Sequence, residues 1–309
     1  MGDMKQHINQ YAKNIGSAFS YDDFVHTKLA TGGPTLQVHS KAQFKAQRKE
    51  VASSNKTVVV VPGTAVYGLF YIALCEQLYQ LGLNVVTFDP RGHGESDGAR
   101  GCYTIAELVE DTIAVISFAI EQYGPEVYLA GSSQGGIVAY YTAAKDDRLK
   151  GVVCKNIADL SEAETRDLSR FPWLSRLSFP FLKLGAMFFP KLQLPIGVYL
   201  NLQKEKMTYY GCFGDYLKKD PWALKSISIR TLYSLSGEKP NKSFADFTLP
   251  ILLLQPLSDE LFSARFTHKI FCQLGSDHKR IEVIKGRHLV FVESAEDVAA
   301  IIGRWISSL

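Results

Sequence analysis

The chain has 309 residues, of which 46% are hydrophobic and 21% charged, and its formal net charge is +3. This length allows a sizeable core in one large domain or two small ones. The net charge is low and the chain has no long block of Lys and Arg, which argues against nucleic-acid binding. The five cysteines show no C-x-x-C or His/Cys ligand spacing, so neither a zinc site nor a disulfide framework is predicted. Because the N-terminus is polar and lacks a signal core, we expect a cytoplasmic protein.

The N-terminal segment predicts a helix and then a β-hairpin. Up to about residue 20, apolar residues recur at spacings of three and four, as in a helix: Ile8, Tyr11, Ile15 and Phe19. Residues 24–30 and 35–40 flank Thr31-Gly32-Gly33-Pro34, a turn sequence typical of a hairpin. Residues 41–55 form a charged connection to the next element.

From residue 57 to residue 157, strand and helix patterns alternate. The predicted strands are 57–61, 84–88, 126–130 and 151–157, and the predicted helices are 71–81, 105–123 and 136–145. Helices between successive strands imply right-handed crossovers and a mostly parallel sheet. Functional groups of such sheets collect at the carboxyl ends of the strands, so the turns after Val61, Phe88 and Ala130 are the places to search.

The alternation stops at Asp159 and returns with a strand over 250–254, a helix over 264–274, a strand over 280–284 and a helix over 295–308. Residues 159–245 are therefore predicted to form a cap, or lid, inserted into one core made of residues 1–158 and 246–309. We call residues 159–245 the cap insertion.

Within the cap insertion, residues 168–202 contain seven aromatic and four basic residues and no acidic one. Lys183 and Lys191 interrupt its apolar runs, so none reaches the roughly 20 residues that a membrane-spanning helix needs. One interpretation is ordinary packing onto the core. The other is a lid that supplies an apolar acyl pocket and makes transient contact with a membrane surface through its basic face.

The turn after the 126–130 strand has the sequence Gly131-Ser132-Ser133-Gln134-Gly135-Gly136, directly before a buried helix pattern. A nucleophile elbow needs this strand–turn–helix context, with small residues two before and two after the nucleophile so that the turn can close. Gly131 and Gly135 occupy those places around Ser133. We therefore predict that Ser133 is a nucleophile, the alternative being a turn that only packs a helix closely on the sheet.

A serine nucleophile needs a general base and a carboxylate that orients the base. His288 follows the 280–284 strand, in a loop at the same edge of the sheet. His93 is the rival because it follows the 84–88 strand, although its flanking glycines are more typical of a turn residue.

Asp259 follows the 250–254 strand and is our candidate for the orienting carboxylate. Glu260 is the nearest alternative and Asp277 a more distant one. For the developing oxyanion, we predict the backbone N–H groups of Gln134, the residue after the nucleophile, and of Thr64, with Ala65 as the alternative to Thr64.

Several motifs together resemble the α/β-hydrolase superfamily and, within it, the monoacylglycerol lipase and lysophospholipase-like serine hydrolases. They are the elbow at Ser133, the segment Asp89-Pro90-Arg91-Gly92-His93-Gly94-Glu95-Ser96-Asp97-Gly98, the late Asp259, and Gly286-Arg287-His288, and the chain order Ser, Asp, His is also that of the superfamily. The resemblance implies a mostly parallel eight-stranded sheet flanked by helices, with a helical cap inserted after strand 6. It also implies a Ser133/Asp259/His288 triad, a structural loop at His93, and no cofactor or metal.

The function expected from this resemblance is hydrolysis of a carboxylic ester, with an apolar acyl chain, through an acyl-enzyme. The substrate would be a small ester or lipid-like molecule. Aminopeptidase, thioesterase or acyltransferase activity on the same triad stays open because these activities differ in the pocket and not in the nucleophile. A non-catalytic member that binds a small apolar ligand is the second class of function.

Overall fold

The computed structural model of the protein describes residues 3–43, 55–170 and 172–309. Its central feature is an eight-stranded sheet with the order β1-β2-β4-β3-β5-β6-β7-β8. In chain order the strands are β1 Val25–Ala30, β2 Thr35–Lys41, β3 Thr57–Val61, β4 Asn84–Asp89, β5 Val127–Ser132, β6 Gly151–Lys155, β7 Ile251–Pro256 and β8 Lys279–Ile284. β2 pairs antiparallel with β1 and with β4, and all other pairs are parallel. The predicted mostly parallel sheet is confirmed.

Helices surround this sheet and fill the segment between β6 and β7. They are α1 Met4–Asn14, α2 Ile72–Gln80, α3 Ile105–Tyr123, α4 Gln134–Ala143, α5 Pro172–Phe188, α6 Ile196–Tyr199, α7 Phe213–Lys219, α8 Ile229–Ser234, α9 Ala264–Gln273, α10 Val290–Glu293 and α11 Ala295–Ser307. On the sheet, α2 packs against α11 and α3 packs against α4. No helix among the described residues is both long enough and apolar enough to cross a membrane.

The central strands form where the sequence has runs of mostly apolar residues, and in β3 every residue is β-branched. Every residue of β3, β4, β5, β6 and β7 is buried, as expected for strands covered by helices on both faces. The edge strand β8 has mostly half-buried and exposed residues. The carboxyl ends of these buried parallel strands therefore lie next to one another at one edge of the sheet.

The helix α3 agrees with the prediction at both ends because its terminal signals are strong. Thr104 and Glu107 form a capping box at its start, and Gly124, with a φ of 100°, ends it. The N-terminal helix is shorter than the predicted span to about residue 20. It ends at Asn14, and Gly16 adopts a φ of 73° that a helix does not accommodate.

The cap insertion contains α5 to α8 and two short antiparallel ladders. One pairs Gln193–Pro195 with Ser226–Ser228, and the other pairs Lys206–Met207 with Gly211–Cys212. The domain bounds at residues 158 and 246 stay a prediction. Most of the charged connection predicted over 41–55 lies outside the described residues.

Candidate active site

Ser133 occupies the tight turn between β5 and α4. Its backbone has φ 59° and ψ −127°, a conformation that residues with a Cβ rarely adopt, and its N–H donates to the Lys155 carbonyl at 2.8 Å. A Cβ at Gly131 would lie 2.1 Å from the Gly135 carbonyl oxygen, and one at Gly135 would lie 2.2 Å from the Val61 carbonyl oxygen. The two glycines thus allow the turn that presents Ser133.

Asp259 and His288, in the loops after β7 and β8, lie in direct contact. The two Asp259 carboxylate oxygens are 3.0 and 3.1 Å from His288 Nδ1. Both residues are buried, and the backbone N–H groups of Leu261 and Phe262 also donate to Asp259. With Nδ1 donating to the carboxylate, the other ring nitrogen of His288 is left as an acceptor, which is the form that a general base needs.

The surroundings perturb both members of this pair. Burial by itself raises the pKa of Asp259, but the Lys155 ammonium and the His288 hydrogen bond outweigh it and lower the pKa below its ordinary value. Burial lowers the pKa of His288, the Lys155 charge lowers it further, and Asp259 opposes both effects. Near neutral pH the pair therefore consists of a carboxylate and a neutral imidazole.

Three polar residues close to this pair have no counterpart in the sequence-based prediction. Lys155, at the end of β6, places its ammonium nitrogen 2.9 Å from His288 Nδ1 and 3.3 Å from Asp259 Oδ2. Asn156 donates from Nδ2 to Asp259 Oδ2 at 3.1 Å. Glu205, from the cap insertion, is buried, and burial raises the pKa of its carboxyl group to about 7.

The loop after β3 lies against the start of α4. Thr64 Oγ1 donates to Gln134 Oε1 at 3.0 Å, and the Tyr103 hydroxyl donates to the same oxygen at 3.2 Å. Gln134 is the first residue of α4, and the first N–H groups of a helix have no acceptor within the helix. Both Thr64 and Ala65 are buried, but only Thr64 lines the pocket at Ser133, which favours Thr64 over Ala65 as the second candidate oxyanion donor.

Two of the cavities lined by the cap insertion bear on the candidate site. The first has a volume of about 30 Å³ and is lined by both Ser133 and His288; its other lining residues are Gly63, Thr64, Val66, Phe70, Tyr71, Ser132, Leu200, Asn201, Leu202, Glu205, Phe213, Leu261 and Leu289. The second, of about 240 Å³, lies within the cap insertion and has a mostly apolar lining that includes Phe179, Leu194, Tyr199, Ile227 and Leu235. Leu200 lines the first cavity and Tyr199 lines the second. Because these residues are adjacent in the chain, the two cavities lie close together.

The rival candidates occupy other environments. His93 is buried beside the Tyr103 ring, Nδ1 lies 2.9 Å from the Arg91 carbonyl oxygen, and burial lowers the pKa of the ring to about 4. Glu260 is exposed and pairs with Lys204 at 3.2 Å. Asp277 is exposed as well. Of the sequence-derived candidates for acid and base, Asp259 and His288 are the ones in mutual contact.

The sheet order, together with the strained serine between β5 and α4, defines an α/β-hydrolase. The chain belongs to the family described as "Serine aminopeptidase, S33", whose profile matches residues 52–295. The resemblance predicted from the sequence is thereby confirmed, and membership makes the chain a hydrolase.

Individual proteins are similar to the chain as well. The chain is 29% identical over 241 residues to an uncharacterized 31.7 kDa protein in the traX-finO intergenic region of Escherichia coli, covering 73% of this chain and 81% of the relative. It is 25% identical over 276 residues to the monoglyceride lipase of Homo sapiens, covering 84% of each chain. The crystal structure of the Paleococcus ferrophilus monoacylglycerol lipase superposes with a TM-score of 0.65 at 24% identity, covering 82% of this chain and 94% of that one.

Proposed function

We propose that the protein is a serine hydrolase that cleaves a carboxylic ester with an apolar acyl chain. Ser133 Oγ attacks the ester carbonyl while His288 Nε2 accepts the hydroxyl proton, and Asp259 stabilises the resulting imidazolium. The N–H groups of Thr64 and Gln134 receive the oxyanion of the tetrahedral intermediate. The C–O bond to the alcohol then breaks, and His288 returns the proton to the departing alkoxide. Water, activated by the same histidine, hydrolyses the acyl-Ser133 ester.

The observation that carries this proposal is the buried Asp259–His288 pair, whose histidine lines one pocket together with the strained Ser133. Treatment with a fluorophosphonate probe tests it, because such probes react with an activated serine. We expect labelling of the wild type, none of Ser133→Ala, and at least a 100-fold slower reaction of His288→Ala. His268→Ala, at an exposed histidine on α9, is the matched control. No labelling of the wild type would favour a non-catalytic ligand-binding protein.

The apolar acyl specificity rests on the cavity of about 240 Å³ within the cap insertion. Its apolar lining suits an acyl chain that extends from Ser133 past Tyr199 and Leu200. We expect p-nitrophenyl octanoate to be a better substrate than the acetate. Leu235→Trp should fill the cavity and reduce this preference several-fold, whereas Leu81→Trp, at an exposed position, should not. A preference for acetate in the wild type would contradict the acyl pocket.

Ester, amide and thioester hydrolysis, and acyl transfer, use the same triad chemistry. The family description names an aminopeptidase and a relative of this chain is a monoglyceride lipase, so both activities belong in the test. A panel with an octanoate ester, an amino-acid p-nitroanilide and an acyl-CoA thioester compares them through kcat/KM. We expect the octanoate ester to exceed the p-nitroanilide because the larger cavity is mostly apolar, and a higher kcat/KM for the thioester would contradict the ester proposal.

The cap insertion also presents an exposed apolar surface, formed by Phe181, Leu184, Met187, Phe188, Phe189 and Leu192. Lys183 and Lys191 lie among these residues, and residues 168–202 contain no acidic side chain. We propose that this surface makes transient contact with an anionic membrane. Sedimentation with anionic vesicles should fall in the double variant Phe188→Ser/Phe189→Ser, and equal binding to zwitterionic vesicles would contradict the charge argument.

A cytoplasmic location is part of the same proposal. All five cysteines are free thiols, which fits a reducing compartment. Fractionation of cells that express the full chain tests this expectation, and recovery in an oxidising compartment would contradict it.

A further inference from the structure

A lysine lies inside the candidate triad, where a Ser–His–Asp mechanism does not require one. Lys155 has no exposed surface, and its ammonium nitrogen contacts both His288 and Asp259. Buried lysines are rare because the charge loses its hydration, and they persist when they are paired. Here the partner is the carboxylate that also orients the candidate base.

The position of Lys155 follows from the pairing of β5 with β6. Ser132 lies opposite Lys155 in the register of these strands, and the Lys155 carbonyl accepts the Ser133 N–H at 2.8 Å. The backbone of Lys155 thus holds the elbow while its side chain reaches the acid–base pair. The next residue, Asn156, adopts a φ of 76° and donates to the same Asp259 oxygen that Lys155 contacts.

The contact between Lys155 and His288 Nδ1 differs from an ordinary hydrogen bond. Lysine is a donor only, and Nδ1 donates to Asp259 when His288 is the base, so two donors lie 2.9 Å apart. The two donors repel each other already while the imidazole is neutral, and the repulsion grows when the ring takes up a second proton and a full positive charge. Lys155 also offsets part of the attraction of Asp259 for an imidazolium. Both effects disfavour protonation of His288.

We propose that Lys155 is a positioning residue of the triad, which fixes the Asp259 carboxylate together with Asn156 and keeps His288 in its neutral, base-competent form under mildly acidic conditions. The inference rests on the proposed hydrolase function and deepens it. The chemistry of the acyl transfer is unchanged, because Lys155 accepts and donates no proton in it. Its consequence is a wider pH range in which Ser133 can be activated.

The other titratable groups that face Lys155 agree with this role. Burial lowers the pKa of Lys155 to about 8 although Asp259 opposes the shift, so the ammonium form predominates at neutral pH. Glu205 contributes a more distant attraction from the cap insertion, and because burial raises its pKa to about 7 it loses most of its negative charge in mildly acidic solution. In mildly acidic solution Asp259 is therefore the main negative charge facing the Lys155 ammonium. The positive charge of Lys155 then disfavours protonation of His288 most strongly.

The rate of labelling by a fluorophosphonate, followed between about pH 5 and pH 9, tests the inference because it follows the base form of His288 in folded protein. For Lys155→Met we expect the pH of half-maximal labelling to rise by about one unit. Lys155→Arg, which keeps the charge, should shift it by less than about half of that. Lys150→Met makes the same substitution at an exposed lysine directly before β6 and should leave the profile unchanged.

The outcomes distinguish a failure of the Lys155 role from a failure of the proposed hydrolase function. Labelling of the wild type with an unshifted profile in Lys155→Met overturns the role of Lys155 alone. No labelling of the wild type overturns the hydrolase proposal and this inference together. If Lys155→Met does not fold, an NMR titration of the His288 ring in the wild type and in Lys155→Gln decides: protonation of the ring at the same pH in both proteins contradicts the inference, and protonation at a higher pH in Lys155→Gln supports it.

Discussion

The backbone strain at Ser133 predicts that this candidate nucleophile lowers the stability of the fold. A residue with a Cβ at φ 59° and ψ −127° loses about 1–3 kcal/mol relative to an unstrained conformation. Glycine tolerates this conformation, but its greater freedom in the unfolded chain offsets about 0.5–1 kcal/mol of the gain. We expect Ser133→Gly to be more stable than Ser133→Ala by about 1 kcal/mol, which corresponds to about 2 °C in the midpoint of thermal unfolding for a chain of this size.

Urea unfolding of the two variants measures this difference directly. Both lack the Ser133 hydroxyl, so the comparison isolates the Cβ, and neither should react with a fluorophosphonate. The matched control is the pair Ser132→Gly and Ser132→Ala, because Ser132 lies in β5 with an ordinary strand backbone. There the glycine variant should be the less stable one by about 0.5–1 kcal/mol. A Ser133→Gly variant that is no more stable than Ser133→Ala would refute the strain argument.

The remaining predictions concern charge and packing around the site. Burial raises the pKa of Glu205 to about 7 from 4.5, so the folded state binds the extra proton between these pH values and the wild type loses stability as pH rises through them. Glu205→Gln lacks this loss. Its free energy of unfolding in urea, relative to that of the wild type, should be about 2 kcal/mol higher at about pH 8 than at about pH 5. The same difference between variant and wild type at the two pH values would contradict the raised pKa of Glu205. Gly131→Ala places a Cβ 2.1 Å from the Gly135 carbonyl oxygen and should abolish soluble expression, and a folded, active variant would contradict the elbow packing. Arg91→Met leaves the buried Asp111 carboxylate without its partner at 2.6 Å and should cost about 3–5 kcal/mol in urea unfolding, most of which Asp111→Leu should restore in the double variant.

The sheet could be predicted from the sequence because its strands are local and strongly patterned. β3 consists of Thr57 and four valines, and the structure gives it the predicted bounds. The rule that strand ends share one edge of a parallel sheet led to the loops with Asp259 and His288, which lie in contact. In this case a long-range arrangement followed from short-range patterns, because the βαβ topology leaves few choices.

Lys155, Asn156 and Glu205 were not predicted, for a physical reason. A lysine at the end of a strand is usually solvated, and its burial here depends on pairing with a carboxylate from another strand end. Glu205 depends on how the cap insertion lies over the core, and no periodicity in the sequence determines that. The short helix α10 was also missed, since four residues carry too little periodicity to identify a helix.

The cap insertion is connected to the candidate oxyanion site as well as to the acyl cavity. The Tyr67 hydroxyl donates to Asp220 at 2.8 Å, and the Leu224 N–H donates to the Ala65 carbonyl at 2.9 Å, so two contacts from the insertion hold the loop that carries Thr64. A substitution that only fills the cavity should therefore lower activity on long acyl chains and spare acetate. One that loosens these two contacts should lower kcat for every chain length, because it displaces Thr64, the proposed oxyanion donor.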